Sequence, residues 1–351
     1  MLVKDVIQYL ETIAPPSYQE SYDNAGLITG QKSQQLKGVL TCLDATEAVI
    51  DEAIQKGCNL VVAHHPIVFK GLKRINGKNY VERVIIKAIQ NDIAIYAIHT
   101  NLDNMYYNGV NTRIAEKLEL QDTKILAPKK DVLKLFTFVP VSHSEEVRQA
   151  LFEAGAGAVM PFQGLSYATV GVGTNAQGSS ALVKLEVQFP STLKGQILNA
   201  LNQSHPEANA SYDIIKTETT NPAIGSGMIG RLKEEMDAKE FLNYLKERMK
   251  VSCIRHTALL GHPIKSVAVC GGAGGFLLKP AIARKADIFI TADYKYHEFF
   301  DADGKIVIAD IGHFESEQFT IDLLFELISE KFSTFAVHCT TVNTNPVHYY
   351  F

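Results

Sequence analysis

The sequence predicts an α/β core built from both ends of the chain, with an α+β domain inserted between them. Three observations carry this expectation. Apolar strand-like runs alternate with amphipathic helical stretches through about the first 125 residues, and the same alternation returns in about the last 120. Residues 131–230 differ: they hold eight acidic and five basic side chains in a hundred positions, against 21% charged for the whole chain. A length of 351 residues also exceeds the ~100–200 usual for one domain.

In chain order, VKDVIQYLETI reads as a helix over 3–13, and VLTCLDA as a strand ending near Asp44. Thr46 is placed to cap a helix running through Gln55, with Gly57 ending it. NLVVA (59–63) is a buried strand, YVERVIIKAIQ a helix, IAIYAI a strand, and a further helix lies near 110–118. Such alternation predicts a mostly parallel sheet covered on both faces. The middle segment then offers the strand LKLFTFVPV, the helix SHSEEVRQALFEAGA stopping at Gly155 or Gly157, the strand ALVKLEVQF, the helix STLKGQILNALNQ and the strand ASYDIIK. This order suggests a ferredoxin-like insert. The expected division is a core of 1–127 and 231–351 around an insert of 128–230. After the insert come the strands SVAVCGG, ADIFIT and KIVIAD, one long helix FESEQFTIDLLFELISEKF, and STFAVH closing the sheet.

Charge and composition narrow the function. With 34 basic and 38 acidic side chains the net charge is −4, which argues against a general nucleic-acid binder and leaves only a local basic groove open. The amphipathic start carries Asp5 and Glu11 and is not expected to be a signal peptide. No apolar run approaches the ~20 residues that span a bilayer. The five cysteines are scattered, never C-x-x-C, and read as reduced thiols of a cytoplasmic protein.

Chemistry gathers at strand ends, where open α/β sheets bind their ligands. His64-His65-Pro66 follows NLVVA; both imidazoles meet one site only if the backbone turns there, and otherwise one is buried and one faces solvent. His99-Thr100-Asn101-Leu102-Asp103 follows IAIYAI, although Asn and Asp are also ordinary turn formers. After KIVIA, His313 and Glu317 stand at i and i+4 on one helix face, while Glu315 points elsewhere and favours the helix N-terminus. Three histidines and two carboxylates exceed the protein ligands of one catalytic zinc, and two ions sharing a carboxylate would use all five. Imidazole and carboxylate donors suit Zn, Mn, Fe, Co or Ni without selecting among them. Gly271-Gly272-Ala273-Gly274-Gly275 lacks the G-x-G-x-x-G spacing and reads as a tight turn that lets backbone approach the pocket.

The segments SYDNAGL (21–27), VVAHHP (61–66), AIHTNLD (97–103), ADYKYHE (292–298) and DIGHFESE (310–317) together resemble the successive motifs of the GTP cyclohydrolase 1 type 2, or NIF-three-like, family. The middle segment KLFTFVPVSHSEEVRQALFEAGAGAV resembles the PII-like or CutA-like insert of its long bacterial members. The resemblance implies two divalent ions held by His64, His65, Asp103, His313 and Glu317. It pairs His65 with Asp103 and His64 with His313, with Glu317 bridging. Tyr22 departs from the tryptophan of many members and alters a pocket wall. Asp23 and Asn24 are candidates to line the cleft and touch substrate, and His99 and His297 to assist a metal-bound water. The implied reaction opens the guanine imidazole ring of GTP with metal-activated water. A dinuclear phosphoesterase or nuclease-like hydrolase, and a non-enzymatic metal-binding scaffold, are the alternatives. The expected partners are a small nucleotide and further copies of the chain, in a homohexamer.

Overall fold

The computed structural model describes residues 1–159, 163–175 and 178–350. Its strands, in chain order, are β1 (Gly26–Thr29), β2 (Val39–Cys42), β3 (Leu60–Ala63), β4 (Ala94–Ala97), β5 (Gln121–Pro128), β6 (Val132–Pro140), β7 (Ser166–Asn175), β8 (Gly178–Pro190), β9 (Tyr212–Lys216), β10 (Gly225–Met236), β11 (Arg255–His256), β12 (Ile264–Ala273), β13 (Ile288–Ala292), β14 (Val307–Asp310) and β15 (Val337–Cys339). The chain divides into two compact units, Met1–Ala127 with Gly225–Phe351, and Pro128–Ile224. The second joint falls before the position expected at 230, because β10 starts at Gly225 and pairs with β12. The Gly225 N–H also donates to the Asn104 carbonyl, 2.9 Å away.

The first unit holds two sheets, where the sequence suggested one. The order β1-β4-β3-β2-β15 is parallel except at the β1 edge, which pairs antiparallel with β4. The other order is β11-β14-β13-β12-β10-β5, with β12, β13 and β14 parallel. β15 joins the N-terminal sheet beside β2, so STFAVH does not close the sheet of its sequence neighbours.

Alternation along each strand explains the layering. Leu60, Val62, Ala94 and Tyr96 point into one buried cluster with Val267, Val269, Ile288, Ile290, Val307 and Ala309, so the two sheets share a core. Helix Val3–Ile13 adds Val3, Val6, Ile7 and Leu10 to it. The intervening residues Val61, Ala63 and Ile95 face outward onto helices Glu47–Gln55 and Tyr80–Gln90. Ala268, Phe289 and Ile308 do the same on the second sheet with Leu277, Leu278 and Ala281. Strands buried on both faces are therefore apolar throughout, which is why they read as continuous runs. Truncating one of these fully buried side chains, Leu60→Ala for example, costs about 2–5 kcal/mol.

Local signals set the helix starts. The Thr46 hydroxyl accepts from the Val49 N–H at 3.3 Å, and the Asn79 side chain accepts from Glu82 N–H at 3.0 Å. The long helix expected over 314–332 is two, His313–Glu317 and Thr320–Lys331. No helix among the described residues is long and apolar enough to cross a membrane.

The second unit runs β6, helix Ser144–Glu153, β7, β8, helix Lys194–Ser204, β9, in an antiparallel sheet of order β7-β8-β6-β9. Leu133, Leu135, Val139, Leu185, Val187 and Phe189 line one sheet face and meet Val147, Leu151, Ile197 and Leu201 of the helices. Its two ends lie together, the Lys129 N–H donating to the Ile224 carbonyl at 2.8 Å.

Candidate metal centre

Parallel strands deliver all their carboxyl ends to one side of a sheet, and here the loops after six strands of the first unit contribute to one cleft. Asp44 follows β2, His64 and His65 follow β3, and His99 and Asp103 follow β4. Gly271 and Gly272 end β12, Asp293 follows β13, and His313 and Glu317 lie on the short helix after β14. The cleft measures about 1050 Å³.

The paired histidines turn as the shared-site reading requires. Their N–H groups continue the ladder to the Cys42 and Leu43 carbonyls (3.1 and 2.9 Å), yet their rings sit 4.9 Å apart, tilted by 47°. Each imidazole of the centre is then fixed through Nδ1. His64 Nδ1 donates to the Ile98 carbonyl at 2.8 Å, His65 Nδ1 to Asp44 Oδ1 at 2.8 Å, and His313 Nδ1 to Asp293 Oδ2 at 2.7 Å. Acceptors at Nδ1 set the tautomer and leave the lone pair of Nε2 facing inward.

Those nitrogens converge on Glu317. Its Oε2 is 2.9 Å from His65 Nε2 and 3.1 Å from His313 Nε2, and its Oε1 lies 3.9 Å from His64 Nε2. Asp103 Oδ1 is 3.5 Å from His64 Nε2. The His65 and His313 Nε2 atoms are only 3.3 Å apart, a separation that calls for a shared cation or proton. His64 Nε2 and Asp103 Oδ1 are buried and lack a hydrogen-bond partner. Such burial is costly unless a ligand satisfies both atoms, so the donor set fits a divalent cation.

Three triads have donor atoms mutually within 4.8 Å: His65, His313 and Glu317; His64, Asp103 and Glu317; and His64, His65 and His99. His65 Nε2 thus lies nearest His313 across the two sheets, and His64 Nε2 lies beside Asp103 of the β4 loop. Glu317 belongs to two of the three.

Electrostatics follow the same geometry. Burial alone would raise the Glu317 carboxyl, but the imidazoles of His313, His64 and His65 hold it well below the usual range. Burial opposes the charge on His65 and His313 too, and bonds to Asp44 or Asp293 and to Glu317 reverse this, raising them to about 10 and about 11. Desolvation pushes Asp103 up to about 7. The glycine turn makes room for this: a Cβ on Gly272, whose φ is +62°, would lie 2.5 Å from Glu317 Oε1.

Other expected residues fall differently. Asp23 and Asn24 do not line the cleft; Glu20 and Tyr22 do. The buried Asp23 carboxylate accepts from His99 Nδ1 at 2.8 Å, from the Thr100 N–H at 3.0 Å and from the Thr100 hydroxyl, leaving nothing for a substrate. Burial would raise it, yet these bonds take it down to about 2. Asn24 donates to the Val68 carbonyl. His99 does reach the centre, its ring centroid 5.3 Å from those of both His64 and His65. His297 does not: it is exposed on the turn Tyr296–Ala302, packed edge-on against Tyr296, because that turn leads away from the cleft. Glu315 is buried and accepts from Asn345 Nδ2 at 3.0 Å. Asp44 and Asp293, the partners of His65 and His313, are missed by the sequence reading; their one signal is a carboxylate directly after a strand.

Fold and cluster together define an α/β protein with imidazole and carboxylate groups that could hold metal. The chain belongs to the Duf34/NIF3 (NGG1p interacting factor 3) family, which it matches over residues 1–346. A Bacillus subtilis (strain 168) protein named GTP cyclohydrolase 1 type 2 homolog is 36% identical over 328 residues, covering 89% of this chain and 88% of that one. A protein of the same name from Halalkalibacterium halodurans is 35% identical over 362 residues, 97% of each chain. The crystal structure of a Bacillus cereus protein related to NIF3 superimposes with a TM-score of 0.85 at 34% identity, covering 100% of this chain and 99% of that one.

Proposed function

We propose that the protein is a hydrolase using two divalent ions, one at each Glu317-containing triad, with a guanine nucleotide as substrate. The observation that carries this reading is that three imidazoles, each tied outward at Nδ1, turn Nε2 toward one buried carboxylate. A structural histidine cluster has no need of three independently fixed tautomers. Divalent ions bound there supply activated water near neutral pH and polarise the bond under attack. The chain's own groups do the rest: the Ile98 carbonyl, Asp44 and Asp293 hold the donors in place, and Glu317 stays ionised. His99, anchored by Asp23 and outside the two triads that contain Glu317, is the group we assign to move a proton at the substrate.

GTP is proposed because relatives 35–36% identical carry the name GTP cyclohydrolase 1 type 2 homolog. Metal-loaded protein is to be incubated with GTP and, separately, with phosphodiesters. Formate and a pterin-type product support the proposal; cleavage of a phosphate bond replaces it with a phosphoesterase; no turnover of either leaves a metal-binding scaffold. We further propose that the second unit is a PII-like domain, its strand–helix order being the supporting feature, and that cytoplasmic copies assemble as a hexamer through twofold core and threefold insert contacts.

A further inference from the structure

We propose that the C-terminal segment Thr340–Tyr349 is a strap that positions one half of the metal centre, with Thr344 acting on His65 through Asp44. The inference rests on the two-ion reading above. Beyond β15 the segment has no regular secondary structure, yet three acids anchor it. Glu52 takes the Thr340 hydroxyl, the Thr341 N–H at 2.9 Å and the Thr341 hydroxyl at 2.7 Å. Asp44 Oδ2 accepts from the Thr344 hydroxyl at 2.7 Å. Glu315 accepts from Asn345 Nδ2 at 3.0 Å and from the Tyr349 hydroxyl. Between these anchors, Thr344, Asn345, Pro346, Val347 and Tyr349 form one wall of the cleft.

The Asp44 contact carries the argument. One oxygen of this carboxylate holds His65 Nδ1 and the other is held by Thr344, so it cannot rotate without breaking a bond. Its side chain is 35% exposed, and without Thr344 water competes for the freed oxygen. A turned Asp44 no longer fixes the His65 ring, and partners of this kind are worth about 10–100-fold in metal affinity. The other half of the centre is set differently. His64 is oriented by the Ile98 backbone carbonyl, just beyond β4, and the Asp103 carbonyl is tied to Asn111. The strap thus acts through His65, on the cation that His65 serves, while His64 and Asp103 are oriented without it. Thr344 is a positioning residue that meets neither ion.

Calorimetric titration of the metal-free protein, residues 1–351, with Co²⁺ tests this. The wild type is expected to show two binding steps. Thr344→Val should weaken one step by about tenfold or more and leave the other unchanged, and Thr344→Ser should restore it. Asp44→Asn should weaken the same step, and adding Thr344→Val to it should have no further effect, since both act along one path. A Thr344→Val protein with two wild-type steps overturns the proposal, and so does equal weakening of both steps, which would mean general loosening of the fold. Wild-type protein that takes up no cobalt overturns the two-ion reading and this inference with it.

Discussion

Replacing Gly272 with alanine separates the cost of a strained backbone from damage to the centre. The residue adopts φ +62°, where a side chain costs about 1–2 kcal/mol. The added Cβ would also sit 2.5 Å from Glu317 Oε1, 3.2 Å from His313 Cε1 and 3.3 Å from His313 Nε2. Ordinary contact begins near 3.4 Å, so the carboxylate must retreat by close to an ångström, several times the ~0.2 Å tolerance of a metal–ligand distance. It has nowhere to go, being 3% exposed with its other oxygen against His65 and His313. Because Glu317 is shared by two triads, both cobalt-binding steps should weaken, by about 10-fold or more. The backbone strain should lower Tm by about 2–4 °C per kcal/mol. Gly261→Ala is the matched control: its φ is +75° with nothing within 4 Å of the new Cβ, so it should lose Tm and keep its metal. Wild-type cobalt affinity in Gly272→Ala would refute the placement of Glu317 at the centre of the site.

Glu317→Ala should lose most of both ions, read as metal per chain after purification without chelator. In metal-free protein, His65 and His313 are raised to about 10 and about 11, so the stability they add is complete below the unfolded value near 6.5 and is lost as pH climbs through the folded values. Thermal melts of the metal-free form should therefore fall from neutral pH towards pH 10, and metal uptake at neutral pH should release protons. Glu317, held low, adds stability above its unfolded value that disappears in acid, so the same melts should fall on that side also. Excising Pro128–Ile224 and joining Ala127 to Gly225 through a short linker should leave a cooperatively folding core that binds cobalt, because the ends of that unit lie together. Light scattering should give roughly six subunits for the full chain and two after the excision.

How far the sequence reveals this site depends on how local each signal is. Helices with a cap and an apolar stripe were legible to the residue: Val3–Ile13 spans the expected positions, and Thr46 caps the helix that ends at Gln55. Paired histidines, and an imidazole one turn before a carboxylate, are local patterns too, and those residues meet. Which donors come close to one another is not legible along the chain, since it depends on how two sheets face each other rather than on spacing along either. Asp44 and Asp293 escaped notice because a lone aspartate after a strand has the same sequence signature as a turn former. Asp23 erred the other way: its motif draws attention, but the carboxylate is consumed in holding His99 and Thr100. β15 was recognised as a strand and given the wrong neighbours, because three residues carry no record of which sheet edge they will pair with.

The distance along the chain between the groups that meet at Glu317 has a kinetic consequence. His65 and Glu317 are 252 positions apart, and the whole second unit lies between them. Loop-closure entropy grows only as about (3/2)RT ln n, so this separation is a modest thermodynamic burden but a severe one for order of assembly. A ribosome releases His64, His65 and Asp103 long before His313 and Glu317, and the whole second unit emerges in the interval. Until the last strands dock, His64, His65 and Asp103 lack the Glu317 carboxylate that they face in the folded chain. If the centre holds metal, its capture awaits the strands after the second unit: a nascent chain stalled before β12, with the second unit already outside the ribosome, should hold no tightly bound ion.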